Sequence, residues 1–357
     1  MVSSKRFWLG VSVSALFLFL FLFRVDYPKT GEALKEANYV YVAPGILIYF
    51  GSLWFRTFRW QYLLRHMRLM PMGRLYPVVV VGYMANNLLP VRLGEVARSY
   101  YLGQREKVSA TSTLATIGVE RVYDGLTLIF FVFVAWPFLP LGELLKNDAG
   151  ELDLLRAAGA AVVVAVFILA IVLFVAVAVR PRLGRRLTDL LLLFVPSRYE
   201  AKVRELSELF IGGLESLNSP RKLLIIFVLS IPIWLIEAAM YYLITFSFDL
   251  DASFALVMVT TATSNLISTL PATSGGIGTF EWATKITLVS FGFDTETSVA
   301  YAAALHVALW LPVVLAGLLY LWTQHRSLAE LIRGRPGVNW ADGYTMKPVP
   351  LDGDGDE

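Results

Sequence analysis

Asn86-Asn87-Leu88-Leu89-Pro90-Val91-Arg92-Leu93-Gly94-Glu95 is a polar, proline-broken run set in surroundings whose hydropathy is that of a bilayer interior. A related break follows Asn265, where Pro271-Ala272-Thr273-Ser274-Gly275-Gly276-Ile277-Gly278-Thr279-Phe280-Glu281 interrupts a second apolar region. Hydrocarbon offers a broken backbone no hydrogen-bond partner, so such breaks are tolerated only where they are buried in protein or line water. The two breaks therefore decide the fold and mark where function is to be sought.

Outward from them, apolar runs long enough to cross a bilayer fill most of the 357 residues. Only 17% of residues are charged, against roughly 25% in an average soluble domain, and mean hydropathy is +0.62. The class expected is an all-α polytopic membrane protein with one integral domain, 1–335, and a disordered acidic tail, 336–357. The absence of cysteine excludes thiol chemistry, disulfides and cysteine metal sites, and His66, His306 and His325 lack the paired spacing of metal ligands. No metal or cofactor is expected, and no ATP-binding motif is visible.

Full spans are expected at 7–23, 39–55, 110–137, 156–179, 223–246 and 299–322. The first follows Lys5-Arg6 and lacks a small-residue cleavage site, so it reads as an uncleaved span. Basic loops stay cytoplasmic. These are the stretch with Arg56, Arg59, Arg65, Arg68 and Arg74, and the segment 180–222 with nine Lys/Arg against five Asp/Glu. The first break lies between basic flanks, the second between the acidic pairs Asp249/Asp251 and Asp294/Glu296. Each broken element thus leaves on the side from which it came. Six crossings plus two opposed re-entrant helical hairpins, an inverted repeat, follow, with both termini cytoplasmic in the plasma membrane. Within 180–222, Val203, Leu206, Phe210, Leu214 and Leu217 share a helix face, expected to lie on the inner membrane surface or simply to connect spans.

Spacing supports the repeat: Glu95 precedes Glu120 by 25 residues, and Glu281 precedes His306 by 25. Glu120, Arg121 and Asp124 interrupt an apolar span, where an ionised group costs at least about 2.5 kcal/mol and demands a partner. Arg121 can pair with Asp124 at i,i+3, making either a self-neutralising structural cluster or part of a substrate path. Arg92, Glu95 and Arg98 lie on a short helix opening after Pro90, whose free amides and positive dipole end suit a phosphate, or else form a solvated cap. Asn87 sits at the break. Gly275, Gly276 and Gly278 permit positive φ and an anion-binding nest, or a tight packed turn. Glu281 and Lys285, at i,i+4, can pair; His306 reads as a satisfied core histidine or a proton relay. Glu237 in the fifth span faces the same cavity with weaker support.

Three ordered motifs carry a resemblance: Asn-x-x-x-Pro-x-Arg-x-Gly-Glu-x-x-Arg at Asn86–Arg98, Glu-Arg-x-x-Asp at Glu120–Asp124 and Pro-x-x-x-Gly-Gly-x-Gly-x-x-Glu at Pro271–Glu281. Together they resemble the lysylphosphatidylglycerol synthase transmembrane, flippase-like family, over residues 5 to about 330. In bifunctional members of that family this membrane domain translocates an aminoacylated lipid made by a separate soluble transferase domain, which this chain lacks. The resemblance implies a standalone lipid translocase binding an anionic phospholipid or lipid-linked head group. Arg92, Arg98, Arg121 and Lys285 would meet phosphate, while Glu95, Glu120, Asp124 and Glu281 would orient them or bind a cationic head-group moiety. A membrane enzyme of lipid metabolism and a non-catalytic partner of a separate transferase are the alternatives. The expected partners are a membrane lipid, a separately encoded transferase and a second copy of the chain, not nucleic acid.

Overall fold

Apolar periodicity and polar caps set the helices. The computed structural model describes residues 5–89, 93–139, 180–193, 220–269 and 274–325, with scattered positions between 154 and 208. Eleven α-helices and no strand form among the described residues: α1 Lys5–Leu22, α2 Tyr27–Glu36, α3 Val42–Leu64, α4 Met72–Leu88, α5 Leu93–Glu106, α6 Ala110–Ala135, α7 Pro181–Leu192, α8 Pro220–Thr245, α9 Phe254–Ile267, α10 Thr279–Ser290 and α11 Thr295–Thr323. Short polar side chains start several of them. Ser109 accepts the Ser112 N–H before α6, Ser253 the Leu256 N–H before α9 and Asp294 the Thr297 N–H before α11, each satisfying an otherwise orphaned donor.

By length and apolarity, Arg221–Phe248 and Thr295–Thr323 suffice to cross a membrane, and α1 with α2 makes a third crossing if the pair, bent by 84°, counts as one span. That count is of the described residues, whereas the six crossings expected from hydropathy are counted over the whole chain. α3 and α6, with 23 and 26 residues, have the length, but Arg56 and Arg59 in one and Glu120, Arg121 and Asp124 in the other lower their hydropathy. The span expected at 39–55 is corrected. α3 continues to Leu64 and carries Arg56 and Arg59 into the core instead of leaving them in a loop. The span expected at 156–179, most of the amphipathic segment 199–217 and the tail 336–357 lie outside the described residues.

The helices on either side of the breaks are short. α4 and α5 have 17 and 14 residues and α9 and α10 have 14 and 12. At 1.5 Å per residue they reach about 18 to 26 Å, against roughly 30 Å of hydrocarbon. α4 packs on α5 across the first break and α9 on α10 across the second. Around these pairs the packing repeats: α3 on α4 and α8 on α9, α5 on α6 and α10 on α11, and crosswise α4 on α11 and α9 on α6. The α3–α8 contact joins the two sets, so α3–α6 correspond to α8–α11. Small groups permit that central contact: Gly45 faces Met240 and Ile244, and the Ser52 hydroxyl donates to the Ile233 carbonyl at 3.1 Å.

Gly94 sets the approach of α5 to α4. A Cβ there would lie 2.2 Å from the Asn86 backbone nitrogen and 2.5 Å from the Gly82 carbonyl oxygen, and neither atom can move without dismantling α4. Gly94→Ala is therefore expected to fall in the class of severe overpacking, costing about 3 kcal/mol or more. Thermal unfolding of the detergent-purified protein measures it; a parent-like transition would show that the two helices do not pass so closely.

Candidate functional site

Four helices direct charge to one place. α3 contributes Arg56 and Arg59 on the face that also carries Leu53 and Trp60; α6 contributes Glu120, Arg121 and Asp124; α5 contributes Glu95 and Arg98; and α8 contributes Ser230, Trp234 and Glu237. Asp124 is the hub: its Oδ1 accepts from Arg59 Nη1 at 2.8 Å and from Trp234 Nε1 at 3.2 Å. Its Oδ2 lies 3.3 Å from Arg121 Nη1 and 3.6 Å from Arg56 Nη1. Arg56 Nη2 donates to Glu237 at 2.6 Å, Arg98 Nη1 to Glu120 at 2.9 Å and Arg59 Nη1 to the Ser230 hydroxyl at 2.7 Å. Arg59 also lies 3.7 Å from Glu120, and Arg121 Nε is 3.0 Å from Glu95 Oε1.

The account balances at four guanidinium groups and four carboxylates, which is what a low-dielectric interior requires if none is to be left uncompensated. Aromatic faces complete it. Arg98 lies over Trp60 at 3.6 Å and Arg56 over Trp234 at 4.4 Å. Six of the eight side chains are almost fully buried, whereas Glu95 and Arg121 are 20% and 29% exposed, so the network opens at that pair. Tyr83 of α4, half-buried, stands beside this opening with its hydroxyl 3.5 Å from Arg121 Nη2.

The second break builds a different device. Gly275, Gly276 and Gly278 have φ of 71°, 75° and 89°, the left-handed region that side chains disfavour. At Gly278 a Cβ would also strike the Ser14 carbonyl oxygen of α1 at 2.6 Å. The Gly278 N–H donates to Glu281 Oε2 at 2.7 Å, capping α10. The other carboxylate oxygen meets His306 Nδ1 at 2.7 Å, and His306 Nε2 meets the Gly275 carbonyl at 3.0 Å. The ring is thus held at both nitrogens, by the Glu281 carboxylate and by the Gly275 carbonyl.

The two breaks meet. Trp310 Nε1 of α11 donates to the Asn87 carbonyl at the end of α4 at 3.2 Å, and a Cβ on Gly275 would touch the same indole at 2.8 Å and the same carbonyl at 3.4 Å.

Of the residues named from sequence, Glu95, Arg98, Glu120, Arg121 and Asp124 converge in the charged network, and Asn87, Gly275, Gly278, Glu281 and His306 gather at the meeting of the breaks. Arg92, like 270–273, lies outside the described residues. The Glu281–Lys285 pair does not form. Lys285 Nζ instead donates to the Phe21 carbonyl at 2.8 Å, closing the C-terminal end of α1, while Glu281 turns to His306. Lys285→Met is expected to cost about 1.5 to 3 kcal/mol, the worth of a hydrogen bond from a charged donor, and to speed amide exchange at the end of α1 more than in α11. Arg56 and Arg59, which hydropathy places in a loop, are site residues that the sequence reading does not name. The signal was present: they continue the Tyr49, Leu53, Trp60 helical face, and the carboxylates of α6 needed more cations than Arg121. Among the described residues no three His, Asp or Glu side chains gather into a group that could hold a metal.

Similar proteins extend over most of the chain. A UPF0104 membrane protein of Methanothermobacter thermautotrophicus is 29% identical over 261 residues, covering 69% of this chain and 74% of that protein. A UPF0104 membrane protein of Methanocaldococcus jannaschii is 22% identical over 247 residues, 69% of this chain and 96% of that protein. Glycosyltransferase AglD of Haloferax volcanii is 25% identical over 332 residues, 86% of this chain but 52% of that protein. No solved structure matches the chain significantly. The family described as the lysylphosphatidylglycerol synthase TM region matches residues 7–317, so the charged network and the meeting breaks belong to an integral membrane protein, and this chain is a member of that family.

Proposed function

We propose that this protein binds an anionic phospholipid or lipid-linked head group near the middle of the plasma membrane and moves it between leaflets. The observation that carries the reading is the meeting of two helix breaks, at Asn87, Trp310 and Gly275, in a chain that also carries a four-arginine network opening at Glu95 and Arg121. Broken helices are tolerated in a membrane only where protein buries them or water lines them, and in many transporters such breaks frame the substrate site. The lengths of α4, α5, α9 and α10 suit re-entrant hairpins dipping from opposite faces, with α3 and α6 as further crossings and both termini cytoplasmic. Arg121, at the opening, takes the phosphate. Arg98 assists it, and the positive N-terminal end of α5 adds to the attraction. Asp124, Glu120 and Glu237 fix the guanidinium groups, while Glu281 and His306 hold the second hairpin tip in place. Lys285 acts on α1, not on the ligand.

A second reading draws on the glycosyltransferase relative: a chain matching about half of that protein would handle the lipid-linked substrate or product of a separately encoded transferase. Native mass spectrometry of protein extracted in mild detergent tests lipid binding. The expected result is a co-purifying anionic lipid that is lost from Arg121→Ala protein of parent-like thermal stability. Retention of the same lipid by that variant would overturn the assignment. Chemical conversion of the lipid by the purified protein would favour an enzyme.

A further inference from the structure

We infer that Glu95 is a built-in substitute for the ligand's phosphate, occupying Arg121 while the site is empty and swinging off when a lipid phosphodiester with a single negative charge takes its place. The inference rests on the reading of Arg121 as the lipid-anion site, and it adds the charge class of the ligand and the competitor that it must displace.

Glu95 differs from the other three carboxylates. Asp124 contacts three arginines and Glu120 two, and Glu237 is held at 2.6 Å with 5% exposure. Glu95 has one arginine, at 3.0 Å, and is 20% exposed. It stands in the first turn of α5, next to the break. Its departure therefore needs only a rotamer change toward the opening, and it exposes a guanidinium already 29% exposed.

A receiving group lies one turn along the same helix. Arg98 is 3% exposed, yet its Nε and Nη2 have no hydrogen-bond partner, although buried donors of a charged group are almost always satisfied. Glu120 holds only its Nη1. Two vacant donors on Arg98, beside a helix face that Glu95 would vacate, offer phosphate oxygens the fork geometry that guanidinium provides.

The charge of the described network points to the class. Among the described residues, Arg56, Arg59, Arg98 and Arg121 balance Glu95, Glu120, Asp124 and Glu237. Swinging Glu95 out leaves one uncompensated positive charge, which a phosphodiester monoanion cancels. A phosphomonoester dianion or a diphosphate would leave surplus negative charge in a poorly screened interior.

The test uses the full chain in phosphatidylcholine nanodiscs containing either phosphatidylglycerol, a phosphodiester, or phosphatidic acid, a phosphomonoester, at a pH where phosphorus NMR of the same nanodiscs shows the phosphatidic acid doubly ionised. Retained lipid is counted by native mass spectrometry for the parent, Glu95→Gln and Arg121→Ala, with Glu95→Ala as the replacement if the glutamine variant fails to fold. The expected result is preferential retention of phosphatidylglycerol by the parent, retention tighter by up to about fivefold in Glu95→Gln, as removal of a partly exposed competing ion pair implies, and loss in Arg121→Ala. If the parent binds phosphatidylglycerol and Arg121→Ala does not, but Glu95→Gln binds no more tightly, the exchange is refuted while the lipid site stands. Preference for phosphatidic acid refutes the charge class. Equal retention by all three proteins refutes both the exchange and the site.

Discussion

Asp124→Leu is expected to cost about 3–5 kcal/mol of stability, the range for breaking a buried ion pair from one side. Asp124 lies within 2.8 to 3.6 Å of three arginines and accepts the Trp234 indole. Its removal leaves three guanidinium groups with one counter-charge fewer, in a place where water cannot replace it. The damage follows from imbalance rather than from lost attraction, so a second substitution is expected to repair much of it. Asp124→Leu with Arg59→Met removes one charge of each sign and substitutes apolar volume, a change that is often neutral in buried networks. Denaturation of the parent, the two single variants and the double variant in one detergent gives the coupling. Recovery of at least half of the loss is predicted; additive losses would contradict a balanced network.

Glu281→Ala is expected to cost about 2–4 kcal/mol, because it removes the cap of α10 and leaves buried His306 without its carboxylate. Both the Gly278 N–H and His306 Nδ1 depend on Glu281. Glu281→Gln is expected to be mild. Its carbonyl oxygen can still accept from Gly278 and its amide can donate to Nδ1 of a neutral imidazole, which keeps Nε2–H for the Gly275 carbonyl. The contrast separates the hydrogen-bond pattern from the charge. Amide exchange in the first turn of α10 reads it: fast in Glu281→Ala, parent-like in Glu281→Gln. Equal disruption by the two substitutions would mean that the ion pair, not the pattern, holds the tip.

Much of this was legible in the sequence because hydrocarbon makes polar groups conspicuous. Pro90, the glycines at 275, 276 and 278 and the charges at Glu120, Arg121 and Asp124 stand out against apolar surroundings, and the α6 helix expected at 110–137 ends at Ala135. The interval between Glu281 and His306, noticed as a repeat, is a direct contact. Its counterpart is shifted by one position: Glu95 meets Arg121, and Glu120 meets Arg98. Hydropathy reads the arginines of α3 as a loop because it scores a cation as water-seeking whatever faces it, and Asp124 and Glu237, which accept from Arg59 and Arg56, are 65 and 181 residues away from them. Lys285 was misassigned for the same reason. Its acceptor, the Phe21 carbonyl, is 264 residues distant, so the local i,i+4 partner was the one that sequence could offer. The 84° turn after α1 is marked in the sequence by Asp26, which caps α2, and by Pro28 in its first turn, with Arg24 at φ 57° between the helices.

The central claim is that lipid passes by way of Arg121. Reconstitution into phosphatidylcholine vesicles with a labelled anionic phospholipid, followed by quenching of the label remaining in the outer leaflet, measures it most directly. Parent protein is predicted to make the inner-leaflet label accessible, Lys285→Met to do so at a comparable rate, and Arg121→Ala, with a parent-like unfolding transition, to fall to the rate of protein-free vesicles. Parent-like movement of the lipid by folded Arg121→Ala protein would contradict the account.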